Sequence, residues 1–272
     1  MSTAGSYDRH SHRDDAAEIQ RLASQARSGW GKEARKLIWF GLRDGMSVLE
    51  PGSGPGFVTA QLLDLLPTST ITCLEIDPAL LAQAQQELQD KVGERVRFVE
   101  GSVLETGLEG NQFDFVYARL LLQHLSDPVG AVREMFRVLK PGGKLVIYDV
   151  DDDLFGFFDP PIPEFAPVLQ RFGEAQAARG GDRRIGRRLW RLLRSVGFDN
   201  LGLEVLASHS DEASLESFMQ HLDPDRLGWL VNGGWLSQAE LDAFAVARQK
   251  FMESAEAYTL WMMVMVCGEK PE

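Results

Sequence analysis

A doubly wound α/β fold is predicted by three features of this 272-residue chain: short apolar strands alternate with helical patterns over residues 46–150, the connections between them are short, and a glycine-rich turn follows the first strand. Residues 15–44 read as helical, because Ile19, Leu22 and Ala26, then Leu37, Ile38 and Leu42, recur at helical spacing until Arg43-Asp44-Gly45 breaks the pattern. Ser47–Glu50 is the first strand, and 57–66 the first crossover helix. Thr70–Glu75 reads as the second strand. Asp77 and Pro78 are an acidic cap and a first-turn proline for a helix over 78–91. Strands Val96–Glu100, Phe113–Ala118 and Lys144–Asp149, with a helix over 127–139, complete five β/α units.

Beyond residue 150 the regularity lapses. The aromatic and proline-rich stretch 154–163 has no clean period and predicts a loop near the active face. A helix over 184–196 sets Ile185, Leu189, Leu192, Leu193 and Val196 against a face of arginines, and Gly197 closes it. Strands 202–206 and 258–267 extend the sheet as an antiparallel pair, with a helical insertion, 211–256, between them. The expected division is therefore a helical cover (1–45), a ligand-binding core (46–150), a loop, helix and strand (151–210), the insertion as a lid (211–256) and a final strand (257–272).

Composition narrows the functional classes. Forty acidic residues against 28 basic ones give a net charge of -12, which argues against a surface built to hold a phosphate polymer and predicts no nucleic-acid partner. The two cysteines, Cys73 and Cys267, sit inside apolar runs and read as small core hydrophobes rather than a disulfide framework. No run approaches a membrane span, and Met1–Asp8 is polar, without the apolar core of a signal peptide. The expectation is a soluble, cytoplasmic protein with no membrane partner. Oligomeric state leaves no trace in the sequence.

The chemistry concentrates at Val48-Leu49-Glu50-Pro51-Gly52-Ser53-Gly54-Pro55-Gly56-Phe57. Glycines there strip side chains from a strand-to-helix turn, so that backbone N–H groups and a helix N-terminus lie against a nucleotide-like ligand. A dinucleotide fingerprint beginning at Gly52 requires a third glycine at position 57, which is Phe57, whereas Gly52, Gly54 and Gly56 form a more compact turn. Glu75 ends the second strand, 19 residues after Gly56, where a carboxylate accepts from both hydroxyls of a ribose.

Through Val48–Gly56, Leu74-Glu75-Ile76-Asp77-Pro78, Gly101-Ser102-Val103 and Leu139–Ile147, the chain resembles the class I S-adenosylmethionine-dependent methyltransferases. The resemblance implies a Rossmann-like, seven-stranded, mostly parallel sheet with a helical N-terminal cover and a helical lid insertion. It implies S-adenosyl-L-methionine as cofactor and methyl transfer to a small organic acceptor. RNA or protein methylation, or cofactor binding without catalysis, are the alternatives. On this resemblance Gly52, Ser53, Gly54 and Gly56 cradle the cofactor, Glu75 holds the ribose, Ile76 beside it is a further cofactor contact, and Glu50 supports the ammonium of the methionine moiety. Ser102 stands where many relatives carry an aspartate that accepts from the adenine amino group, and Val103 contacts the ring. Arg119 opens a segment running beneath the cofactor, its carbonyl the expected contact. Gln25, with Tyr7 and Arg27, resembles residues by which some relatives close a helix over the site.

No catalytic residue is assigned. His124, Tyr148, Asp149, His209 and His221 are candidate bases without a constellation specific to deprotonation. Asp149 and Asp151–Asp153 have the donor type for a hard cation, but Arg119 stands where metal-dependent relatives place an acid, so no metal is expected. The arginines of 183–194 read first as a solvated helix face. Trp229, Trp235 and Phe218, with Phe155, Phe157 and Phe158, either line an apolar pocket or pack the lid onto the core.

Overall fold

The computed structural model describes residues 15–90, 93–154 and 156–272. Two N-terminal helices, α1 (Asp15–Arg27) and α2 (Trp30–Trp39), precede the sheet. They are not one continuous helical stretch, because Gly29 at φ 74° turns the chain between them. The core follows as β1 (Ser47–Pro51), α3 (Phe57–Leu65), β2 (Thr70–Glu75), α4 (Pro78–Glu87), β3 (Val96–Glu100), β4 (Phe113–Arg119), α5 (Pro128–Val138) and β5 (Leu139–Asp149). Asp77 and Asp127 each cap a helix that opens on proline, their side chains accepting from Ala79 N and Gly130 N.

The second half contains β6 (Phe157–Asp159), α6 (Phe165–Ala177), α7 (Leu189–Val196), β7 (Asp199–His209), α8 (Leu215–Met219), α9 (Pro224–Asn232), α10 (Gln238–Glu253) and β8 (Tyr258–Glu269). The stretch expected as a plain loop carries the short strand β6, and α6 has no counterpart in the sequence reading. The arginine-rich helix is shorter than expected: Ile185–Arg188 is a 3-10 turn before α7.

Strand order is β3-β2-β1-β4-β5-β8, with β7 beyond β8 and β6 pairing with the first residues of β8. Seven strands therefore make the main sheet and β6 adds an eighth, short one. The β1–β5 pairs are all parallel, while β8 runs antiparallel to β5 and β7. Alternate strand residues feed opposite faces. Leu49, Val116 and Ile147 pack on one side with Val132 and Met135 of α5 and Leu193 of α7. Val48, Phe115 and Val146 pack on the other with Leu37 of α2 and Leu62 of α3. A third cluster joins α6, α8, α9 and α10 around Phe165, Phe218, Leu230 and Phe244, with Trp261 of β8. The cap is thus larger than the 211–256 insertion, since α6 is built into it. Among the described residues no helix is long and apolar enough to cross a membrane.

Candidate active site

The chain leaves β1 into a tight turn. Gly52 and Ser53 donate their N–H groups to Leu74 O at 2.8 and 3.2 Å, which ties the turn to the end of β2. Gly52, Gly54 and Gly56 all have positive φ, at 70°, 53° and 82°, a region that costs an ordinary residue about 1–2 kcal/mol. Their surroundings differ. A Cβ on Gly54 would project into open space, whereas one on Gly56 would meet Ala84 Cβ at 3.0 Å and Ala84 Cα at 3.2 Å. Gly56 therefore lets α3 lie close to α4, and it does not line the cavity that the other two glycines face. The structure thus gives Gly56 a packing role beside the one expected from the sequence.

Two carboxylates stand beside the turn. Glu75 accepts from Gly54 N at 2.8 Å on one oxygen and from Ile76 N and Asp77 N at 2.8 and 3.0 Å on the other. Burial raises its pKa, and the three backbone donors oppose the shift. Its first role is to fix the turn's shape, with lone-pair capacity left on the Gly54-facing oxygen. Glu50, 3% exposed, accepts from Thr59 Oγ1 at 2.6 Å. Burial pushes it up to about 8, with Thr59 and Arg119 opposing and the charges of Glu33 and Glu75 adding to the rise. Ser102 Oγ accepts from Leu104 N at 3.2 Å, holding the loop after β3.

The N-terminal helices close over this end of the sheet through a buried charge. Arg119, at the end of β4, donates from Nε to both oxygens of Glu33 on α2 at 3.0 and 3.1 Å, and from Nη2 to Gln25 O on α1 at 3.0 Å. Tyr117 donates its hydroxyl to the same Glu33 carboxylate. The Arg119 side chain is therefore an anchor for the cover, a role absent from the sequence reading, which considered only its carbonyl. Glu33, 1% exposed, was missed altogether, since a lone glutamate in a helix carries no sign of its partner.

These parts open onto one cavity of about 550 Å³. Gln25, Glu50, Gly52, Ser53 and Gly54 line it from α1 and the first turn, and Glu75, Ile76, Ser102, Val103 and Arg119 from the strand ends that follow. Tyr7 lies outside the described residues, and Arg27 is exposed and does not line the space. The cavity continues under the cap, where Phe165 and Phe172 of α6, Phe218 and Trp261 form apolar walls. Of the six aromatic candidates only Phe218 lines it: Trp229 and Trp235 pack inside the cap, Phe158 packs on Phe165 and Phe251, Phe157 is exposed and Phe155 lies outside the described residues.

The candidate bases separate. His124, His221 and Tyr148 line the cavity; His209 does not, lying instead near Glu212 and the Tyr258 ring. Burial pushes His124 down to about 3, with Arg183, Arg21 and Arg226 adding to the shift, and His221 falls well below its ordinary value for the same reasons. Both rings are neutral near pH 7. Asp149 is fully buried and raised to about 7 by desolvation; it accepts from Gln123 N and Val150 N and so orders the segment after β4. The acidic turn is consumed by arginines: Asp151 and Asp153 pair with Arg187 and Asp152 with Arg183.

Residues 49–147 match the protein family described as a methyltransferase domain. Over 112 residues the chain is 35% identical to the ubiquinone/menaquinone biosynthesis C-methyltransferase UbiE of Shewanella sediminis, covering 40% of this chain and 44% of that one. It is 31% identical over 183 residues to a malonyl-[acyl-carrier protein] O-methyltransferase of a Paenibacillus species, covering 66% and 59%. That match spans the sheet core, where the motifs resembling the class I methyltransferases lie. The cofactor of that family is S-adenosyl-L-methionine. The chain spans about half the length of the curated relatives it matches. In fold it is similar to the Haemonchus contortus phosphoethanolamine N-methyltransferase 2 solved with S-adenosyl-L-methionine, at a TM-score of 0.60 and 19% identity over 89% of this chain and 53% of that one. A putative methyltransferase of Bacillus halodurans superposes at 0.57 with 18% identity, covering 89% and 100%.

Proposed function

We propose that this protein transfers the methyl group of S-adenosyl-L-methionine to a small organic acceptor held under the helical cap. The carrying observation is the continuity of one cavity from the glycine turn, Glu50 and Glu75 to the aromatic walls of the cap. The residues present fit the cofactor. Gly54 faces open space that a Cβ would occupy, Glu75 is fixed beside it, and Glu50 sets a buried carboxyl on the same cavity wall.

When bound, the cofactor supplies an electrophilic methyl carbon whose departure needs no acid, because the leaving group is a neutral thioether. The chain's part is alignment and exclusion of water. Glu75 accepts from the ribose hydroxyls while holding the Gly54 amide. Glu50 becomes anionic against the ammonium of the methionine moiety. Ser102 and Val103 flank the adenine. Arg119 and Glu33 hold α1 and α2 over the site. With His124 and His221 neutral and heavily depressed, neither is tuned as a strong base, which favours an acceptor already nucleophilic at neutral pH.

The net charge of -12 and the covered cavity favour a small acceptor over RNA. S-adenosylhomocysteine should raise the melting temperature, and a nicotinamide dinucleotide should not. Incubation with isotope-labelled methyl donor and a low-molecular-weight extract then tests the transfer. Label appearing only in RNA or protein refutes the acceptor class.

A further inference from the structure

The two ends of the cavity carry opposite charge. Its lining carboxylates, among the described residues, are Glu50, Glu75 and Asp77, all beside the glycine turn; the one cation lining that region, Arg119, is paired with buried Glu33. Under the cap the charged lining residues are Arg21 of α1, Arg183 and Arg226 of α9, with neutral His124 and His221 between them. Each guanidinium is held in place. Arg21 binds Glu18 through Nε and Nη2 at 2.8 and 2.7 Å, and Arg226 stands 3.7 Å from the same carboxylate. Arg226 also donates to His221 O at 3.0 Å, and Arg183 donates to Gln123 Oε1 at 2.7 Å as well as pairing with Asp152.

Three guanidiniums, those of Arg21, Arg183 and Arg226, stand against two carboxylates, Glu18 and Asp152, which leaves this end of the cavity with a surplus of positive charge. At His124 the three arginines all oppose protonation and only Glu18 favours it among the leading contributions. Arg21 Nη1 lies 3.2 Å from His221 Nδ1, and because an arginine only donates, that nitrogen accepts and His221 carries its proton on Nε2. The imidazole is thereby a fixed hydrogen-bond donor, another element suited to an anion. Phe172, stacked under the Arg183 guanidinium at 5.1 Å, and Trp261, 5.5 Å from the His221 ring, supply adjacent apolar surface.

We propose that the methyl acceptor is a small organic anion with an apolar body, its charged group held by Arg21, Arg183, Arg226 and the His221 N–H at the end of the cavity remote from the glycine turn. A cationic amine is rejected there by like charge, and a neutral isostere leaves buried donors poorly matched. This inference rests on the methyltransferase reading for the word acceptor, but the anion preference itself does not require turnover.

Isothermal titration of the S-adenosylhomocysteine-loaded protein with aromatic carboxylates (benzoate, cinnamate, 4-hydroxyphenylacetate), their amides and phenethylamine tests it. The expected result is a carboxylate bound at least about tenfold more tightly than its amide, with the amine weakest. Arg226→Gln and, separately, Arg183→Gln should collapse that preference while S-adenosylhomocysteine still binds, which reports that the variant is folded. A panel in which no carboxylate exceeds its amide, or in which both variants keep the preference, overturns the proposal. Failure of S-adenosylhomocysteine to bind the wild-type chain refutes the methyltransferase reading instead; the same titrations on the cofactor-free protein then still read the anion preference.

Discussion

Glu50 should make cofactor binding strongly pH-dependent. Without a ligand its carboxyl is held at about 8 by burial, so at pH 7 it is mostly protonated. A cofactor ammonium beside it favours the anion, and binding then releases a proton. If only the ionised form binds well, the apparent Kd is the intrinsic value divided by the ionised fraction. That fraction is roughly 1% at pH 6, 10% at pH 7 and 50% at pH 8, giving an affinity gain of about fifty-fold from pH 6 to pH 8. Calorimetry with S-adenosylhomocysteine in buffers of different ionisation enthalpy measures both the affinity and the released proton. In Glu50→Gln the profile should be flat and binding at pH 8 at least tenfold weaker than wild type. Stability responds in the opposite sense. A carboxyl raised in the folded state confers stability that is present below its unfolded pKa, near 4.5, and is lost as pH rises through about 8. The ligand-free Glu50→Gln protein should therefore melt above wild type at pH 8. Wild-type affinity that does not change between pH 6 and 8, or a glutamine variant that binds as well as wild type at pH 8, refutes the role assigned to this residue.

Gly54→Ala and Gly56→Ala should part company: the first places a methyl group in the cavity and weakens S-adenosylhomocysteine binding beyond the loss expected from its left-handed backbone alone, while the second drives a Cβ into Ala84 and costs about 2–4 kcal/mol in urea denaturation. Glu75→Ala removes the acceptor for three backbone N–H groups as well as for the ribose, so thermal stabilisation by S-adenosylhomocysteine should largely vanish; unchanged stabilisation would contradict the site. Arg119→Met leaves Glu33 buried without its cation and should cost about 3–5 kcal/mol, part of which returns in the double variant with Glu33→Gln, a coupling read from a double-mutant cycle.

The glycine-turn end of the cavity was legible because its determinants are local. Gly52, Gly54 and Glu75 lie within two consecutive strand ends, and parallel pairing of β1 with β2 brings those ends together in any sheet of this order. Even there spacing did not show everything about Gly56: a positive φ serves approach to a ligand and approach of two helices alike, and the second appears only with its neighbour Ala84. The acceptor end left no such signature. Arg21 meets His221 across 200 residues of sequence, and Arg183 reaches Asp152 and Gln123 across 31 and 60. No periodicity links such positions, and each arginine alone reads as a solvated side chain. The acidic turn at 151–153 and the basic run at 183–188 each presented as a surface charge cluster, yet they pair with one another across the chain. Local backbone chemistry therefore announces the glycine turn and its carboxylate, while the groups proposed to choose an acceptor come from α1, the cap and the loop before α7, and meet only when the tertiary fold assembles them.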